Sequence, residues 1–469
     1  LAGTYDEQLL LNEVVGTSAT NTVTFQSADA NADSVIWQTT TNSSAANYVL
    51  YLNGADHITL KNITFKNQTT SYSQKIVLSG ETDGVTIDSS KFLGYQTNSS
   101  STNYASIYGS DADAADLEIK NNTFTDAGYY AIYLDSDNSS SPPEGLEISS
   151  NTITDTYSGI SVEYFNAPTI QGNTLQGSYM SNNGIYLSYC DAANIQGNTI
   201  KGSGTYSGAG ISLNYCDGAN VIEDNKINAP DMTKGIYLNY CEATSGSEGK
   251  IINNLVNAGD YGIYLHNYNK YYNIYYNSVK VLNNNALYYY INPENIILKN
   301  NIFYSASSSS PALYVYNTTG FTGDYNDLYS EYTYPIYFNG NKTFAEYMAT
   351  TNGANSANLE PIFNSDSTLV PMMLALDNLG SPITGIANDF SGNTRSTSTP
   401  DMGAMEFTVE GSPLSGIYTV GADADYDSIS TALNDLSIYG ISGPIIFNIQ
   451  AGTYDDPAAL SQVYGASAT

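Results

Sequence analysis

Chemistry in this chain would have to come from few residues. The 469-residue sequence holds two histidines, His57 and His266, a single arginine, Arg395, and three cysteines, Cys190, Cys216 and Cys241. Cleaving a polysaccharide asks for a base and an acid at one place, with a cation to hold the substrate. The two histidines are 266 − 57 = 209 residues apart and fall in distant repeats, so they do not share a site. His266, beside Asn267, reads as a surface residue, and Arg395 lies outside the repeats. No catalytic residue and no cofactor is assigned from this set, and the expectation is a chain that is not an enzyme.

The cysteines carry information through their spacing, 216 − 190 = 26 and 241 − 216 = 25. Stacked side chains pointing the same way make poor disulfide geometry, and no histidine joins them. A column of buried thiols acting as small hydrophobes is expected, rather than a bridge or a metal site. Carboxylates at alternating positions, Asp111 with Asp113, Asp135 with Asp137 and Asp423 with Asp425, are of the kind hard cations take. Calcium is the one cofactor they suggest; they lack the EF-hand pattern, and solvated loop acids are the competing reading.

These residues are positioned by repeats. Gly184-Ile-Tyr-Leu-Ser-Tyr-Cys190 is followed by Ile195-Gln-Gly-Asn198-Thr-Ile200, and the phrase recurs at Gly210 to Ile227, Gly235 to Val256 and Gly262 to Val279. The pattern apolar-x-x-Asn-x-apolar extends through Asn122, Asn151, Asn173, Asn198, Asn225, Asn254, Asn277 and Asn301, with two earlier versions ending at Phe65 and Phe92. Ten rungs are recognisable. Within each, apolar and polar residues alternate over short stretches, as strands do, and stacking them at roughly 4.8 Å builds one core from strands too short to stand alone. The expected fold is all-β, a right-handed parallel β-helix. The recurrent asparagine reads as a corner residue that tolerates left-handed backbone angles and whose amides bond along the axis. The glycine before each Ile-Tyr/Ser-Leu strand reads as a second tight corner. Tyr186, Tyr237 and Tyr264 recur on the outward face, with Tyr164, Tyr189, Tyr215 and Tyr240 in a second column. Such columns can grip sugars or another protein, or simply stabilise the sheet.

Lys and Arg number 14 against 46 Asp and Glu, a net charge of −32. That charge repels nucleic acid and polyuronates. No apolar run approaches the roughly 18 residues that span a bilayer.

Past residue 345 the rungs fade. The expected organisation is a shaft over 1–345, a closing region over 346–407, a linker over 408–416 and a new α/β unit over 417–469. In that unit Asp427 or Ser428 caps a helix ending at Gly440, and Ile445–Ile449 is a strand. The segments Asn388-Asp-Phe-Ser-Gly-Asn-Thr-Arg395 and Pro400-Asp-Met-Gly-Ala-Met-Glu-Phe407 resemble the closing signature of secreted bacterial right-handed β-helix repeat proteins of the surface filament and adhesin type. The resemblance implies an extracellular, cell-surface location.

Ala451 to Thr469 then aligns without a gap on Ala2 to Thr20, identical at eleven of nineteen positions. The chain thus ends as it starts, which predicts copies joined head to tail, covalently or by one subunit capping the next. Ala2, Tyr5, Ile445, Phe447 and Tyr454 are the candidate contact residues. The reading is an extracellular structural filament or adhesin stalk. Its alternatives are a glycan-binding adhesin using the tyrosines and a polysaccharide lyase or hydrolase.

Overall fold

The computed structural model describes residues 2–465 apart from 138, 178–181, 203–205, 456, 458–459 and 461. Positions 456, 458–459, 461 and 466–469 of the terminal repeat, and Leu1, therefore lie outside the described residues.

Alternation dictates the strands. In Ile185–Ser188 the side chains of Ile185 and Leu187 are buried while Tyr186 is half-buried on the other face. Residues like these line up in register from coil to coil: Ile160 on Ile185, Ile211, Ile236, Ile263 and Leu287. Among the described residues the result is three long sheets of thirteen, fourteen and twelve strands around one continuous core, parallel throughout except for Asn341–Lys342, which ends the second sheet antiparallel. A coil runs from the third sheet round a corner to the first, then to the second. More coils exist than the ten rungs the asparagine pattern marks. The first, Gly3–Asp6, Leu9–Asn12 and Val23–Gln26, has no corner asparagine to announce it.

At the corner, the residue before the asparagine takes the left-handed conformation: Asn121, Ser150, Asp224, Asn253, Tyr276, Asn300 and Tyr325 all have φ between 53° and 58°. The asparagine itself turns inward and is buried. Its role is therefore bonding, not backbone tolerance. The glycines before the Ile-Tyr/Ser-Leu strands are not tight corners either. A Cβ on Gly184 would sit 2.7 Å from the Gly210 carbonyl oxygen, and one on Gly235 2.6 Å from that of Gly262. They are glycines because consecutive coils approach too closely there for a side chain.

Below the shaft, helix Phe344–Met348 is closed by a Thr343/Glu346 capping box. Beyond it, parallel strands Leu414–Val420 and Ile441–Ile449 flank helix Ile429–Tyr439, capped by Ser428. The first of these strands starts inside the segment expected as a linker, because alternate residues of Leu414–Val420 pair with the second strand.

Asp327, the first residue of strand Asp327–Ser330, is fully buried. One carboxyl oxygen accepts from the Leu359 N–H at 2.9 Å and the other has no partner. Burial raises its pKa from 3.8 to about 8. The folded state therefore holds a proton that the unfolded chain has lost, and stability falls as pH rises from about 4 to about 8. Chemical denaturation across that range is expected to show the decline, and Asp327→Asn to flatten it.

Candidate functional site

The outer face of the second sheet carries one residue per coil in strict register: Tyr108, Tyr133, Ser161, Tyr186, Ser212, Tyr237, Tyr264, Tyr288, Tyr314 and Tyr337. Neighbouring rings lie close, 4.7 Å between Tyr288 and Tyr314 and 4.3 Å between Tyr314 and Tyr337. Where Ser161 replaces tyrosine the row opens into a groove of about 410 Å³ lined by Tyr130, Tyr133, Glu163, Asn183 and Tyr186. Glu163 stands level with Asp135 on the next strand, and burial together with that neighbour raises its pKa. Polar groups beside aromatic walls are what a sugar ring needs, since its faces are apolar and its rim is hydroxylated.

Farther along the row, beyond Ser212, the structure brings together three residues. Tyr237 Oη lies 3.0 Å from His266 Nδ1, and Asn267 Nδ2 lies 3.2 Å from the same nitrogen. The amide is a donor, so Nδ1 carries the lone pair and the imidazole proton is placed on Nε2. The Lys234 ammonium sits 5.2 Å from the Tyr237 ring centroid and donates to the Ser207 carbonyl at 3.0 Å. Desolvation and the nearby Lys234 charge lower the His266 pKa, so the ring is neutral at pH 7. Desolvation pushes the Tyr237 phenol up to about 12, so it keeps its proton. A neutral imidazole, a protonated phenol and a cation on one face make a base, an acid and a charge clamp. His266 is thus not the isolated surface residue its sequence neighbours suggest. The one available signal was its place just past the Gly-Ile-Tyr-Leu strand, one coil beyond Tyr237.

The second tyrosine column is a regular stack. Tyr164, Tyr189, Tyr215, Tyr240 and Tyr268 lie 4.8 to 5.5 Å apart with ring planes within 14° of parallel. All five occupy left-handed corners.

Asn151, Asn173, Asn198, Asn225, Asn254, Asn277 and Asn301 form an unbroken line, extended by Asn122 and by Asn326, which the sequence pattern missed because Gly323 stands where it requires an apolar residue. Cys190, Cys216 and Cys241 are free and buried, with the Cys190 N–H 3.4 Å from Cys216 Sγ. Burial raises the thiol pKa of Cys190 and Cys216, which suits apolar packing.

Of the calcium candidates, Asp425 accepts from the Thr419 N–H and hydroxyl, Asp423 is a left-handed turn residue, and Asp111 sits in left-handed conformation at a register shift within strand Ile107–Asp113, which Asp113 ends. Among the described residues no group of three or more His, Cys, Asp or Glu side chains is arranged for a metal ion. Of the proposed contact residues, Ala2 is exposed and Tyr5 pairs with Trp37 in the first sheet. Ile445 and Phe447 belong to the separate two-stranded sheet, and Tyr454 donates to the Val420 carbonyl at 3.2 Å.

A family model described as the right handed beta helix region matches residues 105–279 and 183–352. No curated protein matches the chain. Among solved structures, similarity is found to the PL6 family alginate lyase AlyGC at 12% identity and TM-score 0.41, covering 95% of this chain and 60% of that one. A mutant of the same enzyme gives 10% identity and TM-score 0.43, over 96% and 64%. The chain therefore spans less than two thirds of the length of these structures. Both of these structures are of enzymes, which runs against the expectation that the chain is not one. No described helix is long and apolar enough to cross a membrane.

Proposed function

Because this chain belongs to the family of right-handed β-helix proteins, we propose that it binds an extended polysaccharide along the outer face of its second sheet and cleaves uronate residues there by β-elimination. The observation that carries the reading is the contact of Tyr237 Oη with His266 Nδ1 at 3.0 Å. β-Elimination removes the proton on the carbon beside the uronate carboxylate and expels the glycosidic oxygen at the next carbon. A glycan lying over the two side chains gives its C5 proton to His266 Nδ1. The Tyr237 phenol donates its proton to the departing O4, and a C4–C5 double bond forms as the C4–O4 bond breaks. Lys234 neutralises the carboxylate, which acidifies the C5 proton. Acid and base lie on the same side of the sugar, as a syn elimination requires. Such a substrate places the protein outside the cell.

Release of unsaturated uronate from polyuronates, read as ultraviolet absorbance, tests the reading. His266→Gln and Tyr237→Phe are each expected to lower the rate by about 10²-fold or more. The acid limb of the rate profile is expected below pH 6.5, where His266 gains a proton and ceases to be a base. Because the chain carries −32 overall, added salt should strengthen binding of a polyanion by screening repulsion. Absence of unsaturated product from every uronate polymer tried would sink the reading.

A further inference from the structure

We propose that the C-terminal unit, strands Leu414–Val420 and Ile441–Ile449 with helix Ile429–Tyr439, docks on the first coil of a second copy of this chain, adding Ile441–Ile449 to the third sheet beside Val23–Gln26. Two free strand edges and the terminal repeat carry the proposal.

In a parallel ladder the N–H and C=O of one residue point to the same side, and successive residues alternate. The Val23 N–H donates to His57 O and the Ser27 N–H to Lys61 O, so the odd residues bond the neighbouring strand Ile58–Lys61. Thr24 and Gln26 therefore turn their backbone groups outward, and among the described residues no strand pairs with that edge. On the other partner, the Gln450 N–H donates to Val420 O, which assigns even residues of Ile441–Ile449 to Leu414–Val420. Ile445, Phe447 and Ile449 then face outward. Among the described residues their sheet has two strands.

The two edges fit in one register. With Thr24 opposite Ile446, the Thr24 N–H meets the Ile445 carbonyl and the Phe447 N–H meets the Thr24 carbonyl. Gln26 does the same with Phe447 and Ile449. That register sets Ile445 over Val23 and Phe447 over Phe25, two side chains already packed against the core. Phe447 would extend the aromatic line Phe25, Trp37, Phe65, Phe92 and Phe124, whose successive centroids are 6.4, 5.8, 5.5 and 4.5 Å apart. At the end of that line lies an open cavity of about 270 Å³ lined by Phe25, Val35, Trp37 and Ile63. Among the described residues the outward backbone groups of Thr24 and Gln26 meet no strand and lie beside partly exposed Val23 and Phe25, and a matching strand covers both.

The occupant is identified by sequence. Gly452-Thr-Tyr-Asp455 repeats strand Gly3–Asp6, so Ile441–Ile449 stands just before a copy of that strand. Each later first-sheet strand follows a third-sheet strand, as Thr64–Lys66 follows Ile58–Lys61. The unit is thus built to occupy the third-sheet position ahead of a first coil.

Sedimentation velocity on the full chain is the test. The wild type is expected to form dimers and longer species that grow with concentration. Thr24→Pro removes one outward N–H without touching the bonds to Ile58–Lys61, and Gln26→Pro makes the same block one pair along. Ile449→Pro blocks the other partner. Each variant alone is expected to stay monomeric with wild-type circular dichroism. Mixing Thr24→Pro with Ile449→Pro leaves one intact pair of surfaces and is expected to give a dimer that grows no further. A wild type that remains monomeric at high micromolar concentration, edge variants that associate like wild type, or a mixture that stays monomeric would each overturn the proposal. None of these outcomes depends on polysaccharide cleavage.

Discussion

Replacing Asn225 by alanine is expected to destabilise the middle of the shaft by about 4 kcal/mol, because a buried donor left without a partner costs about 1–3 kcal/mol and two buried acceptors lose a hydrogen bond each. Asn225 Nδ2 donates to the Ile195 carbonyl at 2.9 Å and to Asn254 Oδ1 at 3.1 Å. Its Oδ1 accepts from both the backbone and the side-chain amide of Asn198, each at 3.0 Å. Alanine strands the buried Asn198 backbone N–H and takes a donor from the Ile195 carbonyl and from Asn254 Oδ1, while Asn198 Nδ2 keeps the Ile170 and Gln196 carbonyls. Hydrogen exchange is the suitable measurement, since a long repeat array opens locally rather than all at once. The Asn198 amide is expected to exchange more than 100-fold faster, while amides near Phe65 and Phe92 keep their protection. Asn225→Asp is expected to do more harm, because it sets carboxylate oxygens against the Ile195 carbonyl and Asn254 Oδ1. A stacked tyrosine makes a useful contrast. Tyr215→Ala exposes no buried polar group and is expected to cost about 1 kcal/mol.

The second large effect is expected at Arg395. The guanidinium is nearly inaccessible and lies 3.8 Å from the Tyr276 ring centroid. It donates to Glu406 at 2.9 Å, to Asn253 Oδ1 at 2.9 Å and to the Gly403 carbonyl at 3.1 Å. One side chain thus pins both halves of the closing region to two corners of the shaft. Arg395→Ala leaves the Glu406 carboxylate without its cation in a site only 16% exposed, and breaking a buried pair from one side costs about 3–5 kcal/mol. Limited proteolysis is expected to cut between 380 and 407 in the variant under conditions that leave the wild type intact. Arg395→Lys keeps the charge but loses the fork and the stacking plane, and is expected to fall between the two. Equal resistance of all three proteins would remove this role.

Local periodicity made the shaft legible. Alternation in Ile185–Ser188 and the recurrence of Asn198, Asn225 and Asn254 contain the strands, their register and the axial line of amides, because each coil repeats the environment of the last. Where the repeat loses its marker the reading fails. Gly323 hides Asn326, and the first coil has no corner asparagine. The left-handed corner residue varies in type, asparagine, serine, aspartate, tyrosine or glycine, so the sequence pattern points to its invariant neighbour instead. The candidate site was less visible still. Tyr237 and His266 are 29 residues apart, and only the closed coil makes them neighbours. Arg395 carried its motif in sequence, but its partners Asn253 and Tyr276 lie more than 100 positions earlier, where local pattern is silent.

The asparagine line also bears on mechanics. From Asn122 to Asn326 the amide bonds run along the shaft, parallel to the strand-to-strand bonds of all three sheets. A pull on the two ends would load every bond between neighbouring coils together, so rupture demands that a whole layer fail at once. A sideways force on one corner would instead open bonds one after another. The molecule is therefore expected to be stiff in tension and weak to peeling, and single-molecule stretching along the two directions should differ in rupture force accordingly.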